Sequence, residues 1–249
     1  MNTQTVKKHL SGLIPYMTAA VLAWCCNDTV IAQNIQAGLY FTTGHPRGEF
    51  NDNVDNIGLG GSGYVGYLFD NTPVMLGMDI GYMIYGRETR NEPFSLTIPD
   101  VYVDVTTSNN IFLWHAFLRL QAEQGKIQPY LDGLFGFKYL FTDTSVRSEN
   151  NILQDIATSK NLGDFAMSYG VGGGLRFRVY EKRSDLEGPG VLEALIDFKF
   201  SYLFGSEAEY LKKGAIFRDT SSGTVAYDVQ QSKTDMLLLN FGVTLKFGY

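Results

Sequence analysis

The chain reads as all-β: an eight-stranded antiparallel up-and-down transmembrane β-barrel with short turns at one end and long loops at the other. Three observations predict it. After residue 33 the sequence alternates with period two in segment after segment, as strands do when successive side chains point to opposite faces. The connections between those segments alternate between short and long. The composition is rich in aromatics (14%) and glycine (27 residues) and poor in charged residues (18%), below the usual quarter. Closed sheets run to 249 residues as single units, so one domain accommodates the chain.

The N-terminus stands apart from this rhythm. Lys7 and Lys8 form a positive region, the apolar run LIPYMTAAVLAWCC follows at 13–26, and Val30 and Ala32 occupy the −3 and −1 positions of a small-residue cleavage site. The expectation is a cleavable secretory signal at 1–32 and a barrel domain at 33–249. The apolar run falls short of the roughly 20 residues a spanning helix needs. Lipoprotein anchoring is disfavoured, because Trp24 and Cys25 stand where a small residue should precede the acceptor thiol. Both cysteines leave with the signal, so the mature chain carries no thiol chemistry. The signal also carries Lys7, Lys8 and Asp28, a net of one positive charge, so the formal charge moves from −6 to about −7. No lysine or arginine stripe is present, and nucleic acid is not an expected partner.

The closing segment shows the alternation most plainly. Leu237, Leu239, Phe241, Val243, Leu245, Phe247 and Tyr249 fall on one face, and Asn240, Gly242, Thr244, Lys246 and Gly248 on the other. Met236 and Leu238 are the exceptions on the polar face. The pattern recurs with apolar faces at 194–204, 165–179, 131–141, 112–120 and 76–84, and more weakly at 34–43 and 57–69, making eight segments. The opposite faces carry Asp79, His115, Arg119, Asp132, Lys138, Arg176, Arg178, Glu193, Asp197, Lys199 and Lys246, interleaved with glycine.

The turns at 70–73 (DNTP), 124–126 (QGK) and 181–190 are short or turn-like, while 44–55, 87–108, 143–164 and 206–233 read as long loops. An even strand count then puts both termini on the short-turn side, the periplasmic side of a bacterial barrel. Within two of the loops, VYVDV at 101–105 and AIFRDTSSGTVAYDV at 215–229 alternate again, which suggests strands continuing above the membrane as a protruding hairpin or sheet.

A soluble barrel turns its apolar face inward. Here the polar face holds six basic and four acidic side chains besides His115, and an eight-strand interior is just wide enough to be filled by side chains that can pair. The apolar face runs about nine or more residues per strand, the length a tilted strand needs to cross hydrocarbon. Tyr40, Tyr64, Tyr85, Tyr130 and Tyr180 are read as interior tyrosines that plug the core, which argues against a general porin.

The closing strand LLLNFGVTLKFGY, the segment QPYLDGLFGFKYLF and the glycine-rich YGVGGGLRF resemble the small Gram-negative outer-membrane barrels of the OmpA/OmpX type, especially those common in the Bacteroidetes group. The resemblance spans nearly the whole mature chain. It implies residence in the outer membrane, contact with outer-membrane lipid and lipopolysaccharide, and recognition of Leu245, Phe247 and Tyr249 by the barrel-assembly machinery. It implies no particular activity, since such barrels share a pattern rather than a chemistry.

The chemistry-bearing residues are few. His115 faces the charged lumen, where a structural role is expected, and His45 stands near the first loop with Asp52 and Asp55 in a spacing that matches no metal loop. The glycine sets GLGGSG and GVGGG lack the strand–helix setting of a phosphate loop, and no helix is expected. No catalytic set, metal or cofactor is read. The expected function is non-enzymatic: envelope integrity, adhesion or binding of an extracellular or periplasmic protein through the loops. The alternatives are a lipid-modifying enzyme or secretion accessory using the histidines, and a small specific channel.

Overall fold

Alternation becomes pairing in the computed structural model, which describes residues 34–95, 98–148, 155–182, 190–218 and 225–248. The segment 1–32, expected to be a signal, and the terminal Tyr249 lie outside those residues. In chain order the elements are β1 (Ile35–Pro46), one helical turn α1 (Glu49–Asn53), β2 (Gly58–Leu68), β3 (Val74–Ser95), β4 (Ile98–Gln121) and β5 (Ile127–Ser148). Then come β6 (Asp155–Glu181), β7 (Gly190–Gly205), β8 (Glu207–Arg218), β9 (Val225–Lys233) and β10 (Met236–Gly248). Eight of the strands close into an antiparallel barrel of order β1-β10-β7-β6-β5-β4-β3-β2, and β8 and β9 form a separate two-stranded hairpin.

The period-two pattern decides which side chains fill this cylinder. Leu39, Phe41, Leu131, Phe135, Val171 and Phe200 are each more than half exposed on its outside, while Tyr40, Asp132, Arg119 and Lys199 are buried within it. Outward aromatics pack across neighbouring strands: Trp114 stacks on Phe137 at 5.6 Å between centroids, Tyr139 lies 4.4 Å from Phe165, and Phe198 lies 4.8 Å from Phe241. Such pairs add about 0.5–1.5 kcal/mol each beyond their area burial. Met236 and Leu238, the exceptions of the closing segment, are buried.

The structure corrects several expectations. Among the described residues, 87–95, 98–108, 143–148 and 155–164 are strand rather than loop. The β3–β4 ladder continues through Arg87↔Ser108 and Arg90↔Val105, and the β5–β6 ladder through Thr144↔Ser159. The alternation at 101–105, read as strand continuing above the membrane, is the upper part of β4 paired with β3. Residues 206–233 hold the hairpin β8–β9, with three extra residues on β8 between Leu211 and Ile216, among them Gly214 at φ +81°. At 44–55, β1 runs to Pro46 and α1 follows, a helical turn that strand periodicity cannot register.

Tyr180 is half exposed rather than interior. A bulge between Arg178 and Tyr180 shifts the register against β7, so Val179 and Tyr180 both face outward.

Above the barrel rim β7 and β10 stop following their neighbours. The β6–β7 ladder ends at Ser168↔Gly205 and the β1–β10 ladder at Pro46↔Met236. Ser206 N–H still donates to the Met167 carbonyl at 2.9 Å, Thr234 N–H to the Ser206 carbonyl at 3.3 Å, and Gly205 N–H to Asp235 Oδ1 at 2.9 Å. From this joint the hairpin packs against β3, β4, β5 and β6.

The seam between the first and last strands depends on a close approach. A Cβ at Gly242 would meet the Leu39 carbonyl oxygen at 1.9 Å. Gly242→Val is expected to cost about 1–3 kcal/mol or more through overpacking at the closing ladder. The check is the fraction of refolded protein that keeps a compact, heat-modifiable gel mobility, and it should fall well below that of the unsubstituted chain.

Candidate functional site

Each inward position of a closed eight-stranded sheet faces a narrow interior, so a polar side chain there is satisfied by a neighbour in the wall or across the lumen. The lumen is the densest polar constellation in the described molecule, and it forms tiers.

At the short-turn end Glu193 accepts from Lys246 Nζ at 2.9 Å and Gln128 Nε2 at 3.1 Å, and Arg178 Nη1 lies 3.4 Å away. Arg178 also reaches Glu181 at 2.8 Å. This tier is partly open to solvent.

Next comes Arg176, fully buried without a carboxylate in ion-pair range among the described residues. Its Nη1 donates to Gln36 Oε1 at 2.8 Å and its Nη2 to Gln121 Oε1 at 3.0 Å, and its guanidinium lies 5.1 Å from the Tyr130 ring. Asp197 is its cross-strand neighbour. That carboxylate is instead held by three hydroxyls: Tyr40 and Tyr130 at 2.7 Å each and Thr244 at 2.8 Å. Hydrogen-bond donors thus compensate one buried anion while neutral carbonyls compensate a buried cation.

The central tier is ionic. Arg119 donates to both carboxylate oxygens of Asp132, at 2.7 and 2.9 Å, in a two-pronged geometry. Lys199 Nζ lies 2.8 Å from Asp79 and 3.4 Å from Asp132. Arg119 is also enclosed by rings, 3.9 Å from Tyr130, 4.6 Å from Tyr64 and 5.1 Å from Phe117. Two cations and two carboxylates therefore balance where neither could stand alone.

Above them His115 Nε2 lies 2.9 Å from Ser168 Oγ, and Lys138 Nζ donates to the Thr234 carbonyl at the root of the hairpin. All eleven inward positions named from the sequence thus line this column. Arg178, Glu193 and Lys246 sit at its open end and the other eight are buried.

The mouth is closed by an apolar plug. Phe50 of α1 packs edge-on against Tyr210 at 4.9 Å and Tyr85 at 6.0 Å. Tyr85 Oη donates to the Leu211 carbonyl at 2.9 Å, Asn53 Nδ2 to Tyr210 Oη at 3.0 Å, and Tyr210 Oη lies 2.7 Å from Ser232 Oγ. Phe50, Tyr85, Tyr210 and Leu211 are all buried.

A serine–histidine contact resembles a nucleophile with its base. Ser168 and His115 are both buried, however, and Asp79, the cross-strand neighbour of His115, gives its carboxylate to Lys199. His45 points outward from β1, with Nε2 3.2 Å from Thr43 Oγ1, away from any such set. Among the described residues no three His, Cys, Asp or Glu side chains converge on a metal position. Residues 245 and 247 of the expected assembly signal lie on β10, partly buried.

Alternation puts Gln121 and Ser168 on the polar face with the named charges, and the structure makes them lumenal partners. Gln36 and Gln128 were missed; Gln128 stands an even four residues before Asp132, which was a usable signal. Phe50 and Tyr210 had none, because they reach the mouth from a loop and a hairpin.

No family model matches the chain, and no curated protein does. Among solved structures it is similar to Neisserial surface protein A, at 14% identity over 86% of this chain and 96% of that one, with a TM-score of 0.34. It is also similar to Ail, the attachment invasion locus protein of Yersinia pestis, in complex with the heparin analogue sucrose octasulfate. That match has 15% identity over 85% and 96% of the two chains and a TM-score of 0.36. A third is a major outer membrane protein from Thermus thermophilus, at 11% identity over 84% and 98%, with a TM-score of 0.27.

Removing Asp132 would strand the buried Arg119 and leave Lys199 with Asp79 as its single carboxylate. Asp132→Ala is expected to destabilise by about 3–5 kcal/mol. Urea unfolding of the refolded barrel, followed by the fluorescence of Trp114, should shift its midpoint far below that of a control at an outward site such as Val171→Ala.

Proposed function

We propose that the mature chain is a non-enzymatic outer-membrane barrel that works through the sheet projecting from its rim, in adhesion or partner binding and in the integrity of the envelope. The carrying observation is one of contrast. A continuous apolar exterior surrounds a lumen packed with compensated charge and closed by a plug, while four strands run on past the rim.

Apolar side chains on the outside of a closed sheet need a hydrocarbon solvent, and closure leaves the barrel wall no unpaired backbone edge for that solvent to meet. Outer-membrane lipid and lipopolysaccharide are then the surroundings of the belt. The barrel-assembly machinery is the route of insertion, reading Leu245, Phe247 and Tyr249 after the signal at 1–32 is removed. The short-turn end faces the periplasm and the projecting strands face outward.

Above the rim, β3 beyond Ile84 and β6 before Ser168 keep barrel-ladder partners on one side only among the described residues. Such edges offer rows of backbone donors and acceptors to an extended segment of another protein. Charged side chains along them, Arg87 and Lys160 among them, restrain indiscriminate pairing.

The test is to shorten both projections, replacing 88–106 and 144–159 with tight turns while leaving the plug hairpin intact. The barrel should still insert and keep its heat-modifiable mobility, while adherence of cells displaying it to matrix-protein and host-cell surfaces falls at least about tenfold. Undiminished adherence would reject the role of the projecting sheet. The packed lumen carries a second expectation: refolded protein in planar bilayers stays electrically silent, and stepwise single-channel currents would restore the channel reading.

A further inference from the structure

Above the apolar belt, the inner face of the projecting sheet and residues Ile216, Phe217, Val225 and Tyr227 of β8 and β9 line a cleft of about 280 Å3. One side is aliphatic and aromatic, with Val105 and Val146 on the sheet facing Phe217 and Tyr227 of the hairpin. Both rings are about half exposed, at 49% and 47%.

Beside this surface runs a row of small polar groups across three strands. Thr107 Oγ1 lies 3.1 Å from Thr144 Oγ1, which accepts from Asn161 Nδ2 at 2.6 Å. Ser159, the register partner of Thr144, has a hydroxyl with no hydrogen-bond partner among the described residues. One charged side chain lines the cleft, and it is already engaged. Arg90 Nη2 donates to the Ile216 carbonyl at 2.6 Å, and its Nε lies 3.7 Å from the Glu88 carboxylate.

We propose that this cleft binds one ring of an uncharged carbohydrate, a hexopyranose unit of a surface glycan. A pyranose has an apolar C–H face for the Tyr227 and Phe217 rings and a hydroxyl edge for the Thr107–Thr144–Ser159 row. Hydroxyls on both partners donate and accept, so the match needs no fixed charge. An anionic sugar meets no uncommitted cation among the residues that line the cleft, since Arg90 is engaged by the Ile216 carbonyl and Glu88. An apolar peptide side chain would cover the rings but leave the hydroxyl row unmatched. The volume lies just below the roughly 300–1,000 Å3 of sites for drug-sized ligands, which suits a single ring. The cleft is built from the protein's own strands, so the proposal stands independently of the adhesive role.

The experiment uses the full mature chain refolded in phosphocholine micelles, which carry no sugar headgroup. Saturation-transfer NMR is recorded with the methyl glycosides of glucose, galactose and mannose, and with glucose 6-sulfate as the anionic comparison. Transfer is expected from at least one neutral glycoside, weakened at least about fivefold by Tyr227→Ala and by Thr144→Val. Ser159→Ala, on an exposed stretch of β6, provides a variant that leaves the barrel wall untouched, and it should weaken transfer as well. Heat-modifiable mobility establishes that each variant is folded. No transfer from any of the three neutral glycosides, equal transfer in all three variants, or preferential binding of the sulfated sugar would each overturn the proposal.

Discussion

A barrel that turns its apolar side chains outward must put its polar ones where there is no room for water to solvate them freely. That inversion governs everything else in the molecule. Arg119, Lys199, Asp132 and Asp79 would each be prohibitively placed alone. Together they form one balanced unit, closed on its flanks by Tyr64, Phe117 and Tyr130. Where charge balance is lacking, hydrogen bonds substitute: three hydroxyls for Asp197 and two amide carbonyls for Arg176. The lumen therefore combines compensated charge with buried apolar side chains such as Met75, Leu113 and Leu134.

The same inversion explains what could be read from the sequence. A period of two tells inside from outside without any knowledge of neighbours, so the faces of Asp79, Asp132 and Lys199 were legible one strand at a time. Parity fails where the backbone inserts a residue. Tyr180 lies just past the bulge after Arg178, and no local pattern marks that bulge. Parity also says nothing about where a strand ends. The stretch 87–108 looked like a loop because its residues are polar, yet exposed strand above a membrane has no reason to be apolar. Least legible were Phe50 and Tyr210, whose burial depends on a helical turn and a hairpin meeting over the mouth.

The plug is attached in an informative way. β8 and β9 continue from β7 and β10, two strands that are neighbours in the barrel wall. At Ser206 and Thr234 these strands leave the ladder, and the joint is held by backbone hydrogen bonds and by Lys138 from within. Charge in the lumen is thereby linked to closure of the mouth, since the same Thr234 carbonyl that receives Lys138 lies where the hairpin begins to turn away from the wall. β3 through β6, by contrast, stay paired to one another as they rise.

The Lys199–Asp79 contact has one more implication. In the ring of eight strands β3 and β7 are four places apart in either direction, so this ion pair spans a full diameter. A half-rolled sheet holds the two groups too far apart to neutralise each other and presents both to hydrocarbon. The pair thus forms only once the sheet has rolled far enough to bring opposite walls within reach of each other.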